Sequence, residues 1–416
     1  MRIRGKIFEN IISLLSINVL GYAISFISFP WLTRVLGVAN FGLMNYAMGL
    51  CALINVFVAY SFGFTASRDI AVCRDNNEKC MQVFSSVFYT KIILMMISAV
   101  AYFGILFIFF QNSNYLLYAA SFLVVVGEAI FPAWFFQGIE KMKFITYFVT
   151  TARLVSLLCI LLFVRTHDDF VLATFFQSST TVFAGICSLI YLFNTRREFL
   201  KFPQISVILY QLRQGVPYFY SNILTNIYTK SSIVVLGLFT TNEMVGYYSI
   251  AVKFMNASKQ VIDTVGQALF PRVSNLFIHD KKSAESFLRC WRKRLVFMGA
   301  GITAAVFIFA PFIVVLLAGH FYEQTIHILR IIIFIPFIVS FTNIYLILVL
   351  IPLSYTRIYT KIMTISALIN ICSMLPLIYF YGAYGAAVNS IVSEFFVACA
   401  SVYYVKKLHI FPSNLL

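Results

Sequence analysis

The sequence predicts an all-α polytopic membrane protein, with about twelve transmembrane helices in two six-helix lobes around a central cavity. Three observations predict the helical membrane class: 61% of the 416 residues are hydrophobic, only 11% are charged, and the apolar residues run in long uninterrupted stretches. A soluble domain carries roughly a quarter charged residues. In lipid, every backbone polar group must be satisfied internally, which leaves helices or closed barrels. A barrel would show segments of about 10 residues with alternating polarity. The stretches here are rich in Leu, Ile, Phe and Val and do not alternate, so helices are expected.

A helix needs about 20 apolar residues to cross a bilayer. Segments that meet this length lie near 10–30, 41–62, 84–110, 115–136, 144–164, 170–193, 216–239, 246–270, 294–319, 326–351, 358–381 and 384–405. The eighth is unusually polar, and the last two divide only at Gly382–Ala383. The basic start Met1–Lys6 leads into a segment too long for a signal-peptide core, with no small-residue cleavage site after it, so the first helix is expected to remain.

Orientation follows from the loops. With the N-terminus inside, the cytoplasmic side receives Arg2, Arg4, Lys6, Arg68, Arg74, Lys79, Lys141, Lys143, Arg196, Arg197, Lys201 and Arg213 from the first half. From the second half it receives Arg272, the cluster from Lys281 to Arg294, Arg357, Lys361, Lys406 and Lys407. The opposite loops hold Arg165, with Arg34 and Arg330 near helix ends, and the acids Asp168, Asp169, Glu243 and Glu323. Basic loops stay inside, so both termini are expected in the cytoplasm. The same rule accounts for the net charge of +16 without nucleic acid.

The outer loops are short, which leaves no room there for a catalytic domain. The cytoplasmic stretch 194–215 divides an N-terminal lobe, 1–193, from a C-terminal lobe, 216–416. A faint internal echo supports the division. Ser16–Asn18, Leu36–Gly37, Phe41–Gly42 and Tyr46–Ala47 recur in order as Ser221–Asn222, Leu236–Gly237, Val245–Gly246 and Tyr248 with Ala251. Paired repeats with a site between them mark transporters.

An ionisable residue at membrane depth is costly and usually functional. The spans place Lys91, Glu128, Arg153, Lys230, Lys253, Lys259, Asp263 and Glu394 there. Neighbours three and four positions apart share a helical face. Asn222, Asn226 and Lys230, with Thr225 and Thr229 beside them, form one polar stripe. Lys253, Asn256, Lys259, Gln260, Asp263 and Gln267 form a second, and Thr146, Thr150 and Arg153 a third. Such stripes either glue helices together, with Lys259 and Asp263 as an ion pair, or line a hydrated cavity. Their positive excess favours a cationic cavity, in which low dielectric strengthens attraction to phosphate. Arg153, Lys230, Lys253, Lys259 and Lys91 are the candidate substrate-binding residues, although Lys91 lies near a helix end where it can snorkel. Asn222, Asn226, Asn256, Gln260 and Gln267 are candidate cavity lining. Asp263, Glu128 and Glu394 are candidates for coupling to an ion gradient, because burial and a nearby ammonium push a carboxyl group's proton affinity in opposite directions.

Enzymatic signatures such as a Gly-rich phosphate loop, HExxH or GxSxG do not occur. The histidines are scattered, so neither a catalytic metal nor a cofactor is expected. The eight cysteines read as reduced packing residues, since Cys73 and Cys80 lack CxxC spacing. Trp134–Phe135–Phe136 reads as an aromatic belt at the cytoplasmic interface.

Several motifs carry a resemblance. The first half has Phe29–Pro30–Trp31–Leu32–Thr33–Arg34–Val35–Leu36–Gly37, Phe62–Gly63–Phe64, Thr65–Ala66–Ser67–Arg68–Asp69–Ile70–Ala71 and Pro132–Ala133–Trp134–Phe135–Phe136–Gln137–Gly138–Ile139–Glu140–Lys141–Met142. The second has Leu236–Gly237–Leu238–Phe239, Val245–Gly246–Tyr247–Tyr248–Ser249 and Ala268–Leu269–Phe270–Pro271–Arg272–Val273. Together they resemble the Wzx-type O-antigen flippases, the polysaccharide-transporter branch of the multidrug/oligosaccharidyl-lipid/polysaccharide exporter superfamily. The resemblance implies two lobes, alternating access and a cargo of oligosaccharide on undecaprenyl diphosphate. It also implies contact with membrane lipids, and with a polymerase and chain-length regulator of the same pathway. It supplies no fixed site residues. Arg34, Gly37, Gly63, Arg68, Trp134, Gln137, Gly246 and Pro271 read as fold and gate elements. A drug/cation antiporter of the same superfamily would want an acidic cavity, and a glycan polymerase a larger outer loop.

Overall fold

The computed structural model describes residues 2–74, 76–109, 114–195, 203–408 and 410. Arg196, Arg197, Lys201 and His409 lie outside this set. So do the side chains of Arg2, Arg4, Lys6, Ser16, Asn18, Ser221, Thr225 and Lys281.

The helices are α1 (Arg2–Ala59), α2 (Thr65–Cys73), α3 (Asn77–Phe109), α4 (Tyr115–Ile130), α5 (Ala133–Gly138), α6 (Met142–Phe163) and α7 (Phe170–Thr195), followed by α8 (Ile205–Phe239), α9 (Asn242–His279), α10 (Lys281–Ala318), α11 (Glu323–Ile332), α12 (Phe334–Thr342) and α13 (Thr356–Lys407). A short 3₁₀ turn, His167–Asp169, precedes α7, and a π-helical segment, Asn343–Leu350, follows α12. Among the described residues, eight helical stretches are long and apolar enough to cross a membrane. The long helices α8 and α9 carry two of the polar stripes. The expected segments overlie these helices, but 115–136 is divided between α4 and α5, and 326–351 among α11, α12 and the π segment.

Two of the longest helices break at glycine. In α1 the break is Gly37 (φ 73°, ψ 168°), and in α13 it is Gly382 (φ 55°, ψ −130°). A residue with a Cβ rarely adopts such a positive φ, so each glycine lets the chain turn while helical hydrogen bonding resumes on the far side. The Gly382 break coincides with the expected division of the last two spans. Beyond it the two parts of α13 run antiparallel. Asn370 Nδ2 donates to Ser393 Oγ (2.9 Å), and Ser373 Oγ bonds Asn389 Oδ1 (2.6 Å).

The contacts divide the chain into two compact units, Met1–Asn226 and Ile227–Leu416. In the first, α4 packs on α7, and α1 packs on α4 and α6. The Gly37 break rests on the connection into α7. Trp31 Nε1 donates to Val164 O (3.0 Å), and Asn40 Nδ2 to His167 O (2.7 Å). At the other end of α1, α2 and α5 pack together around a core of Phe62, Ile70, Phe84, Trp134, Phe135 and Phe136.

That core corrects one expectation. Trp134, Phe135 and Phe136 are not an interfacial belt but are at most 3% exposed. Pro132 ends the α4 helix and starts α5 across it, which turns the three rings inward. Phe84 stacks against Trp134 at 5.5 Å and meets Phe135 edge-on at 5.2 Å.

In the second unit, α9 packs on α10 and α11, while α12 and the π segment pack on α13 and α9.

Candidate functional site

Two cavities among the described residues of the first unit contain ionisable side chains. The larger, about 430 Å³, lies among α1, α6 and α7. Arg153 reaches into it from the α6 stripe, with Ser28, Ser156, Gln177, Thr180 and Thr181 around it. The guanidinium lies directly over Gly21, where any side chain would collide with it. Gln177 Oε1 is buried there without a hydrogen-bond partner. Of the α6 stripe, Arg153 lines this cavity while Thr146 and Thr150 do not, and the donors and hydroxyls gathered in it suit an anionic or heavily hydroxylated ligand.

The second cavity, about 180 Å³, is lined by Tyr60, Phe64, Lys91, Glu128, Trp134, Gln137 and Asn222. Lys91 is only 2% exposed, and its ammonium lies 2.8 Å from Glu128 Oε1. It ion-pairs inside the helix bundle rather than snorkelling to an interface. Asn222 donates to Tyr60 O (3.0 Å), and Asn226 Nδ2 to Asn222 O (2.8 Å), so the start of the α8 stripe is tied to the end of α1. Gln137 and Trp134 from one motif thus meet Phe64 from another around a paired lysine.

In the second unit the α9 stripe is central. Lys259 Nζ lies 2.7 Å from Glu394 Oε1 of α13, with the two side chains 27% and 12% exposed. Asp263 Oδ1 instead accepts from Asn343 Nδ2 (2.8 Å), at the start of the π segment. The expected Lys259–Asp263 pair is therefore replaced by two longer-range contacts, because α13 and the π segment bring polar groups closer than the next turn of α9 does. Gln260 bonds Thr264 along the same helix (3.4 Å). Lys253 is half-buried, while Lys230, Asn256 and Gln267 are exposed.

Sequence reasoning missed Asn343, which meets Asp263, and Asn370, Ser373, Asn389 and Ser393, which bond to one another within α13. A further contact joins Tyr248 of α9 to Ser390 of α13 (3.3 Å). A signal existed in α13, since Ser366 and Asn370, and likewise Asn389 and Ser393, stand four residues apart on one face.

Each unit thus contains one lysine–glutamate pair set among amides, hydroxyls and apolar walls. Such a pair is neutral as a whole, yet its ammonium can be shared with a phosphate oxygen and its carboxylate can take up a proton.

These features define a multi-pass helical membrane protein with the fold of a transporter. Two solved structures share that fold. One is an inward-facing multidrug resistance MATE family transporter of the MOP superfamily, with TM-score 0.72, 13% identity, and 94% of each chain covered. The other is the lipid II flippase MurJ in an inward closed conformation, with TM-score 0.71, 15% identity, and 98% of this chain and 89% of that one covered. The chain belongs to the polysaccharide biosynthesis protein family, whose profile matches residues 7–277. A curated relative from Escherichia coli (strain K12), named "Putative O-antigen transporter", is 26% identical over 403 residues, 96% of both chains. One of the same name from Shigella dysenteriae is 25% identical over 388 residues, 93% of this chain and 96% of its own.

Proposed function

We propose that this protein carries an undecaprenyl-diphosphate-linked oligosaccharide, a repeat unit of O-antigen or a similar surface polysaccharide, across the bacterial inner membrane. The movement is from the cytoplasmic to the periplasmic leaflet by alternating access. The observation that carries this reading is similarity over 96% of both chains to a relative named for O-antigen transport.

The electrostatics support an anionic cargo. More than five residues from either end of the expected membrane segments lie five cations and three acids. Arg153, Lys230, Lys253 and Lys259 attract the diphosphate or acidic sugars, and Lys91 shares its charge with Glu128. Asn222, Asn226, Asn256, Gln260 and Gln267 offer hydrogen bonds to sugar hydroxyls. Competition between cargo phosphate and Glu394 for Lys259 would alter the carboxylate's proton affinity. By linkage, protonation then alters cargo affinity equally. Asp263, Glu128 and Glu394 are the groups through which an ion gradient would act. The polymerase and chain-length regulator of the same pathway would receive the product.

Reconstitution of the purified protein in liposomes with labelled lipid-linked repeat unit tests the proposal. The label is expected to become accessible at the opposite leaflet only when the protein is present. Equal accessibility in protein-free liposomes, or movement of cationic drugs instead, would overturn it.

A further inference from the structure

A groove of about 270 Å³ runs along α10 where it packs on α12, with Tyr345 of the π segment at its edge. Arg292, Lys293, Val296 and Phe297 line one side, and Phe341 and Tyr345 the other. We propose that this groove binds an anionic phospholipid, with Arg292 and Lys293 on its headgroup phosphate and an acyl chain along the four apolar and aromatic residues.

The depth of the groove follows from α10 itself. From Leu295 to Ala318 the helix carries no charged side chain. At 1.5 Å per residue that stretch is about 36 Å long, enough to cross a hydrocarbon core of about 30 Å. Before it, Lys282, Arg289, Arg292, Lys293 and Arg294 stand against the single acid Glu285. The change from charged to apolar therefore falls inside the groove, which places its cations at headgroup level and its aromatic residues in the acyl region. Trp291, with the Arg294 guanidinium 5.1 Å from its ring centroid, anchors the same level.

Charge and shape select the occupant. A guanidinium grips phosphate oxygens through a planar fork of donors, and two adjacent cations favour a net negative headgroup over a zwitterionic one. Phe297 is 81% exposed and presents a large apolar face just beneath them. Phe341 and Tyr345 flank Asn343, the partner of Asp263, so the bound chain would abut the backbone that positions that amide.

The test uses full-length protein in mixed micelles with phosphatidylglycerol carrying a photoreactive acyl chain. Cross-links are expected on peptides containing 296–297 or 341–345. Unlabelled phosphatidylglycerol should compete, and phosphatidylethanolamine should compete poorly. Each cation removed should weaken labelling about fivefold, so R292Q/K293Q loses about twenty-fivefold. R289Q, farther from the groove on the same helix, should retain it. Cross-links confined to other helices, or equal competition by the zwitterionic lipid, would overturn the proposal. Stronger competition by undecaprenyl diphosphate would also overturn it, by assigning the groove to a polyprenyl tail. If R292Q/K293Q fails to fold, mapping and competition with the unaltered protein decide the question.

Discussion

Glu394→Gln removes the carboxylate that meets Lys259 at 2.7 Å. Breaking a buried ion pair by deleting one partner costs about 3–5 kcal/mol, because a charge is left in low dielectric. Here Asp263 lies one turn along α9 from Lys259 and can turn toward the stranded ammonium. The expected cost of E394Q is therefore below that range, about 2 kcal/mol. D263N gives up a charge-assisted bond from Asn343 but leaves the Lys259–Glu394 pair intact, and should cost about 1 kcal/mol. D263N/E394Q leaves Lys259 with neither acid, and the full penalty of about 4–5 kcal/mol should return. The excess over the sum of the single changes, about 1–2 kcal/mol, lies well outside the additivity error of about 0.5 kcal/mol. Replacing the lysine as well, in K259M/D263N/E394Q, should recover much of the loss, since an apolar set is no worse than a buried charged one. Unfolding in mixed micelles by increasing denaturing detergent, read from tryptophan fluorescence, gives the four differences. Strict additivity, or no recovery in the triple variant, would refute the idea that Lys259 holds two acids in reserve.

Four further outcomes are expected. Reporters fused after Lys407 and within 240–245 should report opposite sides of the membrane, and the same side for both would break the topology. Alanine at Arg153, Lys230 and Lys259 together should reduce glycan export at equal protein level, whereas pure helix glue predicts lost protein instead. Proteoliposome transport should respond to an imposed proton or sodium gradient, with at least one of E128Q, D263N and E394Q abolishing the response. Equal rates in every case would indicate passive flipping. Asp280 caps α10 by accepting from Ser283 Oγ (2.6 Å) and Ser283 N (3.1 Å), and these bonds hold its carboxyl below the usual value of 3.8. A depressed acid stabilises the fold above its unfolded value and loses that contribution as pH falls through the folded one. Protection of the Ser283 and Ala284 amides, taken relative to their intrinsic exchange rates, should therefore be level at neutral pH, fall only below about pH 4, and already be low at neutral pH in D280A.

The spans were legible because lipid imposes a length and a composition on any segment that enters it. Even the division at Gly382 could be seen, since one glycine interrupts a run otherwise long enough for two crossings. The stripes on α6, α8 and α9 were legible for a similar reason, as polar spacing of three and four residues marks a face. Partners were not. Spacing pointed Lys259 to Asp263, while the structure supplies Glu394 from 135 positions away. Lys91 looked like a helix-end residue because its spacing from the loop was visible and Glu128's approach was not. Asn343 sits alone in an apolar run, and only the π segment explains how its amide reaches Asp263. The tryptophan of α5 read as interfacial because one-dimensional hydropathy cannot show a short helix folding back into a core.

The glycine turn in α13 bears on how the chain is built. Asn370, Ser373, Asn389 and Ser393 bond across the two arms of that hairpin. An arm delivered alone to the bilayer would offer its amides and hydroxyls to hydrocarbon with nothing to receive them. Because the connection is a single bend, the second arm leaves the ribosome directly behind the first, and the two can enter the membrane as one closed hairpin. A nascent chain stopped just before Gly382 would be a poorer substrate for the insertion machinery than one stopped after Val405, despite having fewer residues to integrate.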